Sequence, residues 1–80
     1  MASRWTIRVD VRAVHDLYTL PRGIAGDVTD AIDGLPDNPI PKEGEPVEGL
    51  DDVYRLVVGP NVVEYQVIAD EQVIKILNIA

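Results

Sequence analysis

The stretch VYRLVVGPNVVEYQVIA, residues 53–69, predicts a β-hairpin and sets the class of fold. Its two halves, about 53–58 and 61–68, are rich in Val, Ile and Tyr, which favour strands. Gly59 and Pro60 lie between them, a pair of residues typical of a tight turn. We therefore expect two antiparallel strands joined at residues 59–60.

The two sides of this hairpin differ less in polarity than is usual for a strand pair with one face in water. A strand with one face in water should alternate apolar and polar residues. One side of the pair would carry Tyr54, Leu56, Val58, Val63, Tyr65 and Val67 and is entirely apolar or aromatic. The other would carry Arg55, Val57, Val62, Glu64, Gln66 and Ile68, with three apolar residues where polar ones are expected. This pattern predicts that something covers or binds the second side.

The N-terminal part predicts a strand and a short helix. Trp5, Ile7 and Val9 alternate with Arg4, Thr6 and Arg8, which indicates a half-buried strand at about 4–9 with the latter three on the open side. Asp10 can cap a helix that Pro21 ends. The side of this helix that faces the core is predicted to consist of Val11, Val14, Leu17 and Tyr18.

A second helix is predicted at about 22–34, starting after Pro21. Its apolar stripe is Ile24, Val28, Ala31, Ile32 and Leu35, while Asp27, Asp30 and Asp33 face water. Gly23 and Gly26 weaken it, so packing must hold it. Residues 36–52 contain four of the six prolines and are predicted to be a surface loop.

The last predicted strand, about 72–79, is apolar at both parities. Val73, Ile74, Ile76, Leu77 and Ile79 leave its orientation open, because a continuously apolar strand usually has both faces covered. The order is thus β-α-α-β-β-β. We predict a single α+β domain over residues 1–80, with an antiparallel sheet and two helices packed on one face.

Composition restricts the function. The formal net charge of −7 and pI near 4.3 oppose binding to nucleic acid, the ribosome or an anionic membrane. Residues 23–54 hold nine acids against Lys42 alone, whereas residues 1–22 have a net charge of +2. There is no cysteine, and no segment has the apolar length of a signal-peptide core or a membrane span. We expect a soluble cytoplasmic protein.

The sequence gives little support to nucleophilic catalysis, phosphate binding or metal binding. His15 is the sole imidazole and lacks a nucleophile partner, so a surface role is expected. Gly23 and Gly26 have neither the spacing nor the Lys of a phosphate-binding loop. The acids between Glu43 and Asp52 lack EF-hand spacing. The sequence therefore predicts no metal site and no cofactor.

The segments GLDDVYRLVVG (49–59) and VVEYQVIADEQVIKIL (62–77), in this order and spacing, resemble the RelE/ParE superfamily of toxin–antitoxin toxins. The likeness covers almost the whole chain. It implies a toxin of a type II toxin–antitoxin system, a role such as plasmid stabilization, and an antitoxin protein that wraps the toxin.

The chain departs from the branch of this superfamily that cleaves messenger RNA. That branch has an Arg at the position of Val62, basic residues at both Arg55 and Val57, and further Arg and Tyr or His residues beyond the position of Ala80. Such a site needs cations for the transition state and a base for the 2′-hydroxyl. Arg55 alone matches, so it is the single catalytic candidate and the resemblance implies that the catalytic residues are missing.

We therefore favour an interaction protein that binds a cognate antitoxin, with a homodimer through the sheet as another possibility. The predicted partner-binding residues are Val57, Val62, Glu64, Gln66, Ile68, Lys75 and Leu77. Basic groups of the partner would meet the acids at 43–52. Two alternatives stay open: a divergent ribosome-dependent endoribonuclease that uses Arg55 with Arg4, Arg8 or Lys75, and a ParE-like gyrase inhibitor.

Overall fold

The computed structural model describes residues 5–80, which form a five-stranded sheet with two helices on one face. The strands are β1 (Thr6–Val9), β2 (Gly44–Pro46), β3 (Val53–Val58), β4 (Asn61–Ile68) and β5 (Val73–Ile79). The helices are α1 (Val11–Tyr18) and α2 (Arg22–Gly34). The predicted α+β class is confirmed, and the predicted elements occur in the predicted order with one additional strand, β2, between α2 and β3. Arg4 lies outside the described residues.

The sheet has the order β1-β5-β4-β3-β2 and is mixed rather than wholly antiparallel. β3, β4 and β5 form the predicted antiparallel meander, but β1 pairs with β5 in parallel, Thr6 opposite Val73. A parallel pair needs a long crossover connection. Here the elements between β1 and β5 form that connection. The alternation of residues in β1 does not show whether its partner strand runs parallel or antiparallel to it.

The loop predicted at 36–52 contains the short edge strand β2, which the sequence analysis missed. Gly44 pairs with Leu56 and Pro46 with Tyr54. A proline is tolerated on an edge strand because its missing N–H can face away from the ladder. A Cβ at Gly44 would come within 3.1 Å of the Tyr65 hydroxyl oxygen and 3.2 Å of the Pro41 carbonyl oxygen, so this close approach favours glycine.

β5 contains a β-bulge that resolves its double-sided apolar pattern. Tyr65 of β4 lies opposite Ile76 and Glu64 lies opposite Asn78, so Leu77 is the extra residue. The bulge reverses the parity of the strand. As a result Ile74 and Ile76 before it and Ile79 after it all belong to the core under the helices.

α2 follows its prediction. Val28, Ile32 and Leu35 are buried against the sheet, and the three aspartates of the helix are exposed. Gly23 and Gly26 have open space around the position of a Cβ, so neither is required by packing. Tertiary contacts thus hold a helix of weak intrinsic propensity.

α1 is capped as predicted but faces the sheet with different residues. The Asp10 side chain accepts a hydrogen bond from the Arg12 backbone N–H at 3.0 Å. Ala13 is fully buried and Leu17 packs on the core, whereas Val11 is 83% and Tyr18 86% exposed. The predicted stripe of Val11, Val14, Leu17 and Tyr18 is therefore wrong apart from Leu17, because the small Ala13 allows the closest approach to the sheet.

Candidate partner-binding face

We call the side of the sheet opposite the helices the open face. Pairing partners share a side of the sheet, so the registers assign to it Thr6, Arg8, Glu45, Val53, Arg55, Val57, Val62, Glu64, Gln66, Ile68, Val73, Lys75 and Asn78. The six residues predicted to face the helices do belong to, or pack against, the buried core. The predicted division of the β3–β4 hairpin into two sides is thus confirmed.

The predicted partner-binding residues all lie away from the helix-side core, but they do not form one apolar patch. Val57 pairs with Val62 at one end of the face, and Ile68 pairs with Val73 at the other. Val62 and Ile68 are six residues apart on β4, roughly 20 Å at the usual strand rise. Ile68 therefore does not adjoin the Val57–Val62 pair.

The two apolar ends differ in exposure. Val57 is 59% exposed and Val62 is partly exposed. At the other end Val53 and Val73 are each 6% exposed, although both lie outside the core under the helices. Leu77, the bulge residue, is half-buried, whereas Ile76 is fully buried in the core. The Val57–Val62 end is thus the part of the open face with most apolar surface in water.

A polar row crosses the middle of the open face. Arg55 lies directly opposite Glu64 on β4 and opposite Glu45 on β2. Asn78 continues the row and donates a hydrogen bond from its Nδ2 to Glu64 Oε1 at 3.1 Å. Arg55 therefore lies between two carboxylates, which reduce the positive potential that a phosphate would meet there.

The other cations of the face do not converge on Arg55. Lys75 pairs with Arg8 on β1 and Gln66 on β4, and its Nζ lies 3.9 Å from Asp10 Oδ2. Two strand spacings separate β5 from β3, roughly 10 Å. The cluster of Arg55 with Lys75 or Arg8 that the endoribonuclease alternative requires is thus not assembled on the described part of the sheet.

Residues 5–80 contain no group of three or more His, Asp or Glu side chains arranged to hold a metal ion. His15 is exposed on α1. Neither α1 nor α2 is long and apolar enough to cross a membrane.

Two surface features escaped the sequence analysis. One is a pocket of about 350 Å³ beside α2, with Leu35 and Leu56 in its lining and the carboxylates of Asp30 and Glu43 around it. The other is the exposed apolar side of α1, formed by Val11 and Tyr18. Both depend on tertiary placement, of the loop after α2 in the first case and of α1 in the second.

Tyr65 is hydrogen-bonded to the loop that carries Asn38 and Pro41 of the pocket lining. Its ring is fully buried and stacks on Tyr54, with the ring centroids 5.8 Å apart. Its hydroxyl donates a hydrogen bond to the Pro39 carbonyl oxygen at 2.9 Å. Burial, with a smaller effect from Tyr54, raises the pKa of Tyr65 from 10.0 to about 12. A neutral tyrosine on the central strand thus fixes the loop between α2 and β2.

Comparison with known proteins supports the resemblance. The family model for the ParE toxin of type II toxin–antitoxin systems matches residues 7–80. The RelE1 protein of Methanocaldococcus jannaschii is 32% identical over 80 residues, covering 96% of this chain and 89% of that protein.

Solved structures show the same fold. The archaeal RelE–RelB complex of Pyrococcus horikoshii has a chain 29% identical, with a TM-score of 0.83 and coverage of 94% of this chain and 91% of that chain. The RelBE2 toxin–antitoxin complex of Mycobacterium tuberculosis has a chain 25% identical, with a TM-score of 0.83 and 94% coverage of both.

A mixed sheet with two helices on one face, matched over nearly its whole length by toxins, defines a toxin of the RelE type. The chain belongs to the ParE toxin family of type II toxin–antitoxin systems.

Proposed function

We propose that this chain binds a cognate antitoxin in the cytoplasm through the open face and that it does not cleave messenger RNA. The residues that would contact the antitoxin are Val57, Val62, Glu64, Gln66, Ile68 and Lys75 of the open face, together with the bulge residue Leu77. On this proposal residues 1–80 act as a single domain. The observation that carries it is the Val57–Val62 pair, in which Val57 is 59% exposed and Val62 partly exposed, on the side of the sheet opposite α1 and α2.

Apolar exposure favours a protein partner. Full burial of a valine side chain contributes roughly 1.5 to 3 kcal/mol relative to exposure in water. The Val57–Val62 pair therefore offers a partner an apolar anchor point, and the polar row beside it offers hydrogen-bonding groups that fix register. The similar chain from Mycobacterium tuberculosis was solved in a toxin–antitoxin complex, and the similar chain from Pyrococcus horikoshii was solved in a RelE–RelB complex.

The electrostatics of the face support the second half of the proposal. The transition state of RNA cleavage carries negative charge that must meet preorganised cations. Arg55 is flanked by Glu45 and Glu64, and Val62 occupies the position where the messenger-RNA-cleaving branch has an Arg. The net charge of −7 further weakens ribosome binding.

Val62→Glu tests the interface. The chain would be co-expressed with the protein encoded in the adjacent reading frame, and the affinity of the purified pair measured by calorimetry. We expect Val62→Glu to weaken binding by 10-fold or more, since about 1.4 kcal/mol corresponds to tenfold. The matched control is Val11→Glu, the same change on α1 on the other side of the sheet, where Val11 is 83% exposed.

The outcomes separate the hypotheses. Equal effects of Val62→Glu and Val11→Glu would refute the open face as the interface. Unfolding by Val62→Glu in circular dichroism would place Val62 in the core instead. A dimer in size-exclusion chromatography that Val62→Glu dissociates would favour self-association. Codon-position cuts in a translating extract that Arg55→Ala abolishes would establish the endoribonuclease, and inhibited supercoiling would favour the gyrase inhibitor.

A further inference from the structure

The pocket beside α2 combines an apolar lining with two carboxylates. Ala31 and Leu35 line it from the helix, and Leu56 and Val58 line it from β3. Asp30 and Glu43, both exposed, contribute the acidic groups. Its volume of about 350 Å³ lies at the lower end of the range of ligand pockets, roughly 300 to 1,000 Å³.

The pocket opens at an edge of the sheet where residues 5–80 provide no neighbouring strand. β2 begins at Gly44, opposite Leu56, so the last two residues of β3, Val57 and Val58, extend beyond it. Both residues line the pocket. Val57 also belongs to the open face, where it pairs with Val62. A chain segment lying on the open face at Val57 can therefore reach the pocket by passing around the edge of β3.

The negative charge around the pocket favours a cationic occupant. Residues 23–54 hold nine acids, and the one cation among them, Lys42, is not part of the pocket lining. A side chain that suits this site has an apolar stem for the lining and a cationic head for the carboxylates. Arginine and lysine have this construction, because they bury their methylene groups while the charge stays at the polar rim. Arginine fits better, since its planar fork makes paired hydrogen bonds to carboxylates.

We propose that this pocket is an anchor site for an arginine side chain of the protein partner, with Asp30 and Glu43 receiving the guanidinium. This inference rests on the proposed antitoxin interaction and adds to it a second contact point, on the helix side of the sheet. The partner segment contacts Val57 on the open face and places its arginine past the edge of β3.

A small probe tests the pocket without the partner. The ¹⁵N-labelled chain would be titrated with N-acetyl-arginine methylamide and with the citrulline analogue, which has nearly the same shape and no charge. We expect amide shifts at Ala31, Leu35 and Val58 and at least fivefold tighter binding of the arginine compound. Asp30→Asn together with Glu43→Gln should remove this preference. The matched control is Asp27→Asn, one turn away on α2 and outside the pocket lining, which should keep it.

Equal binding of the two compounds, shifts confined to other residues, or an equal loss in Asp27→Asn would overturn the inference. A second measurement uses the complex with the antitoxin, in which Asp30→Asn with Glu43→Gln should weaken affinity about tenfold and Asp27→Asn less than twofold. An antitoxin that binds both variants equally would refute the anchor while the proposed function stands. If no antitoxin binds, the proposed function fails, and the titration alone decides the pocket.

Discussion

Replacing Tyr65 by phenylalanine separates the hydroxyl from the ring. The ring is fully buried and stacks on Tyr54, and the phenylalanine keeps this packing. The hydrogen bond to the Pro39 carbonyl oxygen at 2.9 Å is lost. A partly buried acceptor left without its donor costs about 1 to 2 kcal/mol. We therefore expect the melting temperature to fall by roughly 4 to 16 °C, since about 1 kcal/mol corresponds to 4–8 °C in a chain of this size.

The same substitution changes the response to alkali. The pKa of Tyr65 is about 12 in the folded chain and 10.0 for an ordinary tyrosine, so the unfolded state binds fewer protons between these values. Stability contributed by the neutral hydroxyl is therefore fully present below pH 10 and lost as the pH rises to 12. The loss is of the order of 2 to 3 kcal/mol. The phenylalanine variant lacks this loss, so its deficit at pH 8 should shrink or reverse by pH 12.

Urea unfolding followed by circular dichroism at pH 8 to 12 measures both effects. Tyr18→Phe is the control, because Tyr18 is 86% exposed on α1, and its stability should stay within about 0.5 kcal/mol of the parent. Free energies of unfolding that run parallel for Tyr65→Phe and the parent from pH 9 to 12 would refute the argument, since the hydroxyl would then be solvated.

Five further substitutions, at four positions, test the fold. Gly26→Ala should raise the free energy of unfolding by about 0.5 to 1 kcal/mol, because the added Cβ meets open space in a helix interior. Gly59→Ala should lower the free energy of unfolding, because Gly59 has a φ of +58°. If urea unfolding shows Gly59→Ala to be more stable than Gly26→Ala, the turn geometry is contradicted. Leu35→Ala, at a buried core position, should cost about 2 to 5 kcal/mol by the same measurement. The Ile79 amide donates a hydrogen bond to Asp16 Oδ2 at 3.0 Å, so Asp16→Ala should lower the free energy of unfolding by about 1 to 2 kcal/mol and speed hydrogen exchange of that amide. Asp16→Asn keeps an acceptor and should lower the free energy of unfolding less. Unchanged exchange in Asp16→Ala would show that this bond does not protect the amide.

Local patterns predicted much of the fold. The bounds of α2, β3 and β4 follow from apolar periodicity and from Pro21, Gly59 and Pro60, and the structure places them where the pattern does. The Gly59 φ of +58° followed by proline explains why the hairpin turn was clear, since a two-residue turn of this type needs a residue tolerant of positive φ at its first position. The assignment of Leu56, Val63 and Tyr65 to the helix side followed from the two-residue period.

Non-local features could not be derived in this way. The partner of β1 depends on where the whole chain returns, and the bulge at Leu77 depends on how β5 fits β4. Hydrophobicity ranks Val11 above Ala13, yet α1 buries the alanine because a small side chain allows close packing on β5. The pocket required the loop after α2 to fold back, and the hydrogen bond from Tyr65 to Pro39 is invisible to periodicity.

The pairing of β1 with β5 also determines when the molecule can assemble. Thr6 and its partner Val73 are 67 positions apart, so at about 5 to 20 residues per second the ribosome needs roughly 3 to 13 s to supply the second after the first. During that interval β1 has no strand to join, and α1 has no β5 to cover Ala13. β1 and α1 are thus synthesised well before β5, the strand that stabilises them. A nascent chain remains incompletely folded until β5 is free to pair, and a partner that needs the β5 part of the open face can bind only after that.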